Sequence, residues 1–426
     1  MKLRIQNGRI LDPASGRDEV SDVWIDDRNI LAVGRRPAGF KPTRTIDASN
    51  KWVCPGFIDL GARLREPGFE HKGTIESEAR AAAAGGFTTV CCMPDTEPVI
   101  DTPAVVELIN QRARGVRGAR VVCIGALTQN LENKVLAEMG ALKSIGCVAV
   151  SNAGQAITDT AVMANALSYA ATLGLTVVLE AEDHWLARGG VMHEGAASSR
   201  LGLAGIPEAA ETIGLARDLA LVERTGVKAH FRTLSAAPSL NLIREAQRRG
   251  SAVSCDVGIM HLHYDDSAVK NFDATLHVRP PFRSSRDRQA LIKAVERSQI
   301  NAISAHHQPH DTDAKAMPFE ASEPGISSFD VVVPLLLDLI ERKQLSPLRA
   351  IESLTTAPAS ILGLTGSTVE RGSVADLTII DPDYDWLVSP ETVLSAGKNT
   401  PLMGMQVRGK AVTTLVEGRI VATTGA

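Results

Sequence analysis

The chain has 426 residues, of which 44% are hydrophobic and 22% charged, and its formal net charge is -4. This composition is ordinary for a globular protein, and the length suffices for one large α/β barrel with a small second domain. The modest net charge, without blocks of like charge, gives no indication of nucleic-acid binding. No apolar stretch reaches the roughly 18 residues of a membrane span, and the chain starts with a strand pattern rather than a signal peptide.

The cysteines lie within or beside apolar β-segments and contain no C-x-x-C pair. They are Cys54, Cys91, Cys92, Cys123, Cys147 and Cys255. This distribution predicts buried free thiols and a cytoplasmic protein.

Both ends of the chain are predicted to be rich in β-strands. Short apolar segments there alternate with turns that contain Asn-Gly, Asp-Pro and Glu-Gly pairs. The predicted strands are 3–10, 20–25, 30–33, 375–380, 407–412 and 414–421. We therefore predict a small β-sandwich composed of residues 1–52 and 366–426.

Residues 53–365 alternate between apolar β-segments and helical patterns. The predicted strands are 53–60, 88–92, 120–124, 147–150, 175–180, 227–231, 252–257 and 301–305. The predicted helices are 74–84, 102–113, 134–144, 158–173, 207–224, 238–248, 286–298, 327–342 and 346–362. This alternation favours a (β/α)₈ barrel, an α/β fold in which chemistry lies at the carboxyl ends of the strands.

The Gly- and Ala-rich segment 184–207 is predicted to be a loop. It contains His193 and Glu194, but a lone His-Glu pair lacks the second His that a zinc-peptidase helix carries four residues later.

Five motifs along the chain resemble those of one enzyme family. They are V-C-P-G-F-I-D-L-G-A-R-L-R-E-P-G at 53–68, C-M-P-D-T at 92–96, G-I-P-E at 205–208, P-P-F-R at 280–283 and H-Q-P-H at 307–310. Together they resemble the dihydroorotases of the amidohydrolase superfamily, over nearly the whole chain. This resemblance implies the barrel fold and, in active relatives, a zinc-dependent reaction on a cyclic amide.

The resemblance also implies a metal site whose ligands follow the first, fourth, fifth, sixth and eighth barrel strands. In this chain those positions hold Gly61, Arg63, Ala153, Glu180, Thr233 and His306. Gly61 and Arg63 replace two histidines, Ala153 replaces the bridging carboxylate, and His306 replaces the general-base Asp. Since glycine cannot ligate and a guanidinium repels a divalent cation, we expect no bound metal and no catalytic residue here.

A rearranged metal site is the alternative. Glu180 and His306 keep groups that can ligate, and His230, His307 and His310 lie nearby in the sequence. We expect these histidines to line a cavity through hydrogen bonds instead.

Three further positions correspond to the family's substrate-binding residues. Arg65 is kept, and in the family it holds the substrate carboxylate through a fork-shaped pair. Asp95 and Arg279 each replace an asparagine. Two interpretations of Arg65 stay open, namely an ion pair with a local acid such as Glu66 or Asp95, and retained anion binding.

The resemblance implies a catalytically inactive dihydroorotase homologue of pyrimidine biosynthesis. Such a chain would act in an oligomer as the assembly partner of the aspartate transcarbamoylase catalytic chain. The alternatives are an active dihydroorotase, or another cyclic-amide hydrolase, with a rebuilt metal site, and a small-anion sensor that uses Arg63, Arg65 and Arg279.

Overall fold

Strands and helices alternate through the middle of the chain, whereas the two ends contain mostly strands. The structure, a computed structural model, describes residues 1–424. The strands are β1 (Lys2–Asp12), β2 (Arg17–Asp26), β3 (Asn29–Val33), β4 (Arg44–Asp47), β5 (Trp52–Pro55), β6 (Phe57–Ala62), β7 (Phe87–Cys92), β8 (Arg120–Ala126), β9 (Ala149–Ser151), β10 (Thr176–Glu180), β11 (Met192–His193), β12 (Gly205–Ile206), β13 (Ala229–Arg232), β14 (Val253–Gly258), β15 (Ala302–Ser304), β16 (Leu377–Leu387), β17 (Gln406–Val416) and β18 (Arg419–Thr423). The α-helices are α1 (Ile75–Ala84), α2 (Pro103–Ala113), α3 (Met139–Ser144), α4 (Thr160–Leu173), α5 (His184–Ala187), α6 (Ala196–Leu201), α7 (Glu208–Thr225), α8 (Ala237–Arg248), α9 (Ser285–Glu296), α10 (Thr312–Lys315), α11 (Val332–Glu341), α12 (Pro347–Leu354) and α13 (Thr356–Leu362).

The central strands form a parallel sheet in the order β15-β14-β13-β10-β9-β8-β7-β6. Every residue of β6 and of β7 is buried, as expected for strands that are covered on one face by helices and on the other by the barrel interior. The spatial order of the strands follows the chain order, with helices between them. The predicted (β/α)₈ barrel is thus confirmed.

The barrel closes between β15 and β6 without a strand ladder among the described residues. Instead, the Arg63 backbone N–H donates to the His307 carbonyl at 3.0 Å. The Ala305 N–H donates to Asp59 Oδ2 at 2.7 Å. Both bonds lie at the carboxyl end of the barrel, so they connect its first and last strands at the end where the site is predicted.

The two ends of the chain meet in a second sheet. Its strand order is β18-β17-β16-β5-β1-β2-β3, with β4 paired to β1. The predicted β-unit from both termini is confirmed, and its strands form one continuous sheet. It has an apolar core of its own, which includes Leu3, Ile5, Ile10, Val23, Ile25, Val53, Leu377, Ile379 and Leu415. The exact domain boundaries, 1–52 with 366–426 and 53–365, stay a prediction.

The prediction of a loop over 184–207 is wrong. This segment contains α5 and α6, and β11 pairs with β12 in a short parallel ribbon. The Asp183 carboxylate caps α5 by accepting from the N–H groups of Trp185 at 3.1 Å and Leu186 at 2.9 Å. Elements of two to six residues are too short for hydrophobic periodicity to reveal.

Two predicted helices differ in extent. The helix predicted over 134–144 is present only as α3, and the helix predicted over 346–362 is divided into α12 and α13 at Thr355. Among residues 1–424, no helix has the length and apolar character that crossing a bilayer requires.

Candidate functional site

The predicted site residues lie at the carboxyl ends of the barrel strands. We call this region the mouth, meaning the ends of β6–β10 and β13–β15 with the residues that directly follow them. Gly61 is the next-to-last residue of β6, and Glu180 is the last residue of β10. Ala153, Thr233 and His306 follow β9, β13 and β15 by one or two residues.

Three strand ends at the mouth have a left-handed backbone without glycine. The φ angles are 50° at Ala153, 53° at Thr233 and 52° at His306. This conformation costs about 1–2 kcal/mol for a non-glycine residue, and it is especially unfavourable for a β-branched side chain such as threonine. Its surroundings hold it in place, since the Thr233 N–H donates to Asp256 Oδ1 at 2.7 Å. These three positions therefore have a backbone conformation that their own side chains disfavour.

A buried arginine occupies the centre of the mouth. Arg232, at the end of β13, donates from Nη1 to Glu180 Oε1 at 2.9 Å and from Nη2 to the Gly61 carbonyl at 2.7 Å. Its side chain is 1% exposed. Burial raises the pKa of the neighbouring Asp59, and the charge of Arg232 opposes that rise. The Arg232 guanidinium therefore lies among the positions that ligate metal in active relatives.

Gly61 leaves the space that Arg232 fills. A Cβ atom at position 61 would lie 3.2 Å from Arg232 Cζ and 2.8 Å from Met93 Sδ. Even an alanine would be tight there, and an imidazole would displace the guanidinium. The observed position of Arg232 is therefore compatible with glycine at position 61 and not with histidine.

Arg63 forms an ion pair with Asp95. Arg63 Nε donates to Asp95 Oδ2, and Nη2 donates to the Ala153 carbonyl at 3.3 Å. Burial disfavours the charged guanidinium, but Asp95 and then Glu180 hold the pKa of Arg63 above its usual value. Asp95 is therefore engaged by the arginine that replaced a family histidine.

Arg65 contacts neither of the acids named for it. Its Nε donates to the Pro309 carbonyl at 2.9 Å, and its Nη2 lies 3.0 Å from His310 Nε2. Of the two interpretations of Arg65, the ion pair with Glu66 or Asp95 is wrong, since Asp95 pairs with Arg63 and Glu66 accepts from the Ile75 N–H. Retained anion binding stays a prediction. Burial and the nearby charge of Arg63 lower the pKa of Arg65 to about 10.

Arg279 pairs with Glu182 at the rim of the mouth. Its Nε donates to Glu182 Oε2 at 2.8 Å and to Oε1 at 3.1 Å, and Nη2 also donates to Oε1. The Arg279 side chain is 41% exposed, so its guanidinium is far more accessible to water than that of Arg232, whereas the two glutamates are similarly exposed, 19% for Glu182 and 22% for Glu180.

The histidines near the mouth are held in hydrogen bonds. His230 Nε2 donates to Asp256 Oδ2 at 3.0 Å, and His307 Nε2 donates to Glu78 Oε2 at 2.8 Å. His306 Nε2 lies 3.0 Å from the side-chain amide of Gln308. Burial and then the charge of Arg232 hold the pKa of His306 well below its usual range, so its imidazole is neutral.

The residues present at the mouth do not fit a divalent metal. Arg232 and Arg63 place two permanent positive charges there, and Glu180 already accepts from Arg232. Within residues 1–424, no group of three or more His, Cys, Asp or Glu side chains is arranged to hold a metal ion.

Two residues of the mouth, Arg232 at its centre and Glu182 at its rim, are not among the candidate residues predicted from the sequence. One signal was available for Arg232. An arginine at the end of an apolar strand, as in A-H-F-R, points to a buried charge that needs a partner.

The fold and the mouth together define a barrel of the amidohydrolase type. L-hydantoinase (dihydropyrimidinase) from Arthrobacter aurescens superposes on it with a TM-score of 0.88 and 25% identity, covering 100% of this chain and 96% of that chain. D-hydantoinase (dihydropyrimidinase) from Thermus sp. superposes with a TM-score of 0.85 and 25% identity, again covering 100% of this chain and 96% of that chain.

Comparisons of the sequence identify one family within this class. Residues 50–238 match the model of the dihydro-orotase-like family. The dihydroorotase-like protein of Pseudomonas putida is 46% identical over 420 residues, covering 99% of each chain. The dihydroorotase of Anaeromyxobacter dehalogenans is 42% identical over 421 residues, covering 98% of this chain and 97% of that protein. The chain belongs to the dihydroorotase-like family.

Proposed function

We propose that this chain is a catalytically inactive dihydroorotase homologue of pyrimidine biosynthesis that supports the assembly of aspartate transcarbamoylase. The observation that carries the proposal is the position of Arg232, whose guanidinium bonds Glu180 and the Gly61 carbonyl where active relatives hold metal. The proposal has two parts, the lost reaction and the partner, and each has its own test.

The lost reaction follows from what the mouth cannot supply. Opening or closing a cyclic amide in this family requires a metal-bound hydroxide and a carboxylate that carries its proton. His306 stands at the position of that carboxylate, and it is a buried neutral imidazole whose Nε2 faces the Gln308 amide. The positive charges of Arg63 and Arg232 disfavour a metal at the same place.

An active enzyme with a rebuilt metal site is the alternative. Glu180 and His306 would be its first ligands, but Glu180 is bonded to Arg232 and His306 to Gln308. His230 and His307 are bonded to Asp256 and Glu78. Metal binding would have to break several of these bonds at once, which is why we prefer the inactive homologue.

The small-anion sensor is supported less well by the same contacts. Arg63 and Arg279 already face carboxylates, Asp95 and Glu182. Of the three arginines in that hypothesis, only Arg65 contacts no carboxylate among the described residues, and it is bonded to the Pro309 carbonyl.

The lost reaction is tested by elemental analysis and by turnover. After dialysis we expect far less than one zinc per chain, and no dihydroorotase turnover above a metal blank. Activity that survives repurification and disappears with a chelator would support the rebuilt site instead, as would about one zinc per chain.

The partner role is supported by the extent of the similarity. The likeness to relatives named dihydroorotase or dihydroorotase-like protein extends over 98–99% of this chain, so it includes the terminal sheet along with the barrel. If the mouth supports no reaction, function is expected at a site on the exterior of the barrel, because function lies in sites that a fold carries and not in the fold itself. A stable complex of this kind should bury more than roughly 1,000 Å².

Co-expression tests the partner. The full chain and the aspartate transcarbamoylase catalytic chain of the same organism are purified together and separated by gel filtration. We expect one peak of higher mass that contains both chains, and transferase activity that depends on this chain. Separate elution at micromolar concentrations, with transferase size and activity unchanged, would contradict the partner role.

A further inference from the structure

Arg232 carries a charge that the structure has to compensate internally. Its side chain is 1% exposed, and a guanidinium stays protonated at every physiological pH. Taking such an ion out of water costs several kcal/mol unless negative groups and hydrogen bonds replace the lost hydration. The identity and placement of those groups therefore show what Arg232 is built to contact.

The compensating groups come from three different strands. Glu180 on β10 accepts directly from Arg232. Asp59 on β6 and Asp256 on β14 are both 0% exposed, and the charge of Arg232 favours the ionised form of each. Arg232 itself lies on β13, so one side chain serves carboxylates from three other strands.

The hydrogen bonds of Arg232 also connect opposite sides of the barrel. Nη2 bonds the Gly61 carbonyl on β6, the first barrel strand, and Nη1 bonds Glu180 on β10, the fifth. In active relatives, the family resemblance implies that these same two strands supply metal ligands. The guanidinium thus joins the strands that a metal would join.

The backbone at three strand ends near Arg232 depends on contacts from its surroundings. Ala153, Thr233 and His306 keep a left-handed φ that their own side chains disfavour. A conformation of this kind persists only where surrounding contacts determine it. With no fitting metal ligands in the mouth, those contacts have to come from the protein.

We propose that Arg232 is an internal cation that replaces the divalent metal as the cross-link of the mouth, and that Gly61 provides the space for it. This inference rests on the absence of metal chemistry in the proposed function. It concerns the isolated chain, so it is tested without the transferase.

The test measures the thermal unfolding midpoint of the purified full chain with EDTA, with added zinc and with neither. The variants are Arg232→Met, which removes the charge at similar length, and Arg232→Lys, which keeps the charge but not the fork. Arg279→Met is the matched control, because Arg279 forms an Arg–Glu pair at the rim of the same mouth.

We expect EDTA or zinc to move the wild-type midpoint by less than about 1 °C, since no metal stabilises the folded state. Arg232→Met should lower the midpoint by roughly 3–6 °C, Arg232→Lys by less, and Arg279→Met by about 1 °C or less. Adding Glu180→Leu to Arg232→Met should recover part of the loss, because both partners of the pair are then apolar.

Three results would overturn the inference. One is a rise of several degrees on addition of zinc to the wild type, or a matching fall with EDTA. Another is an Arg232→Met variant as stable as Arg279→Met. The third is a double variant of Arg232→Met with Glu180→Leu that is no more stable than Arg232→Met alone. If Arg232→Met does not fold, the inference is still tested by the effect of zinc and EDTA on the wild-type midpoint and by the midpoint of Arg232→Lys. A failed partner experiment would leave all of these results unchanged.

Discussion

The mouth of the barrel and the terminal sheet are stabilised in different ways. In the terminal sheet, Leu3, Ile5 and Leu377 are fully buried in a purely apolar core. Each such side chain contributes about 1.5–3 kcal/mol by burial alone. In the mouth, paired charges such as Arg232 with Glu180 and Arg63 with Asp95 occupy the corresponding central positions.

The two regions should differ in how the contributions of single side chains to the free energy of unfolding combine. Burial of separate apolar side chains adds approximately, so the sheet should lose stability in proportion to what is removed. A buried charge is destabilising when its partner is removed. In the mouth, replacing one member of an ion pair should therefore lower the free energy of unfolding more than replacing both members. The following predictions test this contrast, from the largest expected effect to the smallest.

Restoring the family's first-strand histidines should damage the mouth. We expect the variant Gly61→His with Arg63→His to lose about 3–5 kcal/mol in free energy of unfolding, because the imidazole at 61 displaces Arg232 from its buried bonds. It should show no dihydroorotase turnover with zinc, since Ala153, Thr233 and His306 are unchanged. Urea unfolding and a turnover assay measure both effects. Arg63→His alone separates the loss of the Asp95 pair, and zinc-dependent turnover in the double variant would refute the prediction.

In the terminal sheet, Leu377→Ala should cost about 3 kcal/mol in free energy of unfolding, from lost burial and the cavity left behind. Leu387→Ala in the same strand is the control. Leu387 is 43% exposed, so its loss should stay within about 0.5 kcal/mol. Equal losses for the two variants would show that the sheet core contributes less than its burial indicates.

The pair between Arg63 and Asp95 lies between an exposed and a fully buried ion pair, with side chains 14% and 23% exposed. Arg63→Met should therefore cost about 2 kcal/mol in free energy of unfolding, and Asp95→Asn a similar amount. The double variant should cost clearly less than the sum. Chemical denaturation of the wild type, the two single variants and the double variant gives the coupling energy between Arg63 and Asp95. Single losses that simply add in the double variant would contradict the prediction.

Thr233→Gly should stabilise the protein by about 1 kcal/mol. Glycine adopts the φ of 53° without strain, and the change removes a hydroxyl that is buried without a hydrogen-bond partner among residues 1–424. Thr413→Gly is the control, because Thr413 lies in β17 and should lose stability like any strand residue. A destabilised Thr233→Gly variant, measured by urea unfolding, would mean that the threonine side chain has a role in the mouth.

The fold could be predicted from the sequence because its signals are local. Long apolar β-segments and amphipathic helices of ten or more residues repeat along 53–365, and the motifs at 53–68 and 307–310 place the barrel ends. The short elements of 184–207 could not be predicted, since hydrophobic periodicity needs more residues than they contain.

The site could be predicted in part. The identities of Gly61, Ala153 and Thr233 already indicate lost ligands, because the motifs fix their positions. Which arginine meets which carboxylate could not be predicted. Arg232 and Glu180 end the neighbouring strands β13 and β10 as register partners, but the second bond of Arg232, to the Gly61 carbonyl on β6, crosses the barrel. Such a contact depends on side-chain length and direction rather than on spacing.

The pairing of β5 with β16 has a consequence for how the chain folds during synthesis. Trp52 in β5 lies opposite Ile380 in β16, so the two halves of this ladder emerge from the ribosome far apart in time. Until β16 arrives, one edge of β5 has no partner, and an unpaired strand edge is a template for association with other chains. Because closing such a long loop is slow, the N-terminal strands have to remain soluble while the whole barrel is made. A nascent chain stalled before residue 377 should therefore aggregate more readily than one released after residue 423.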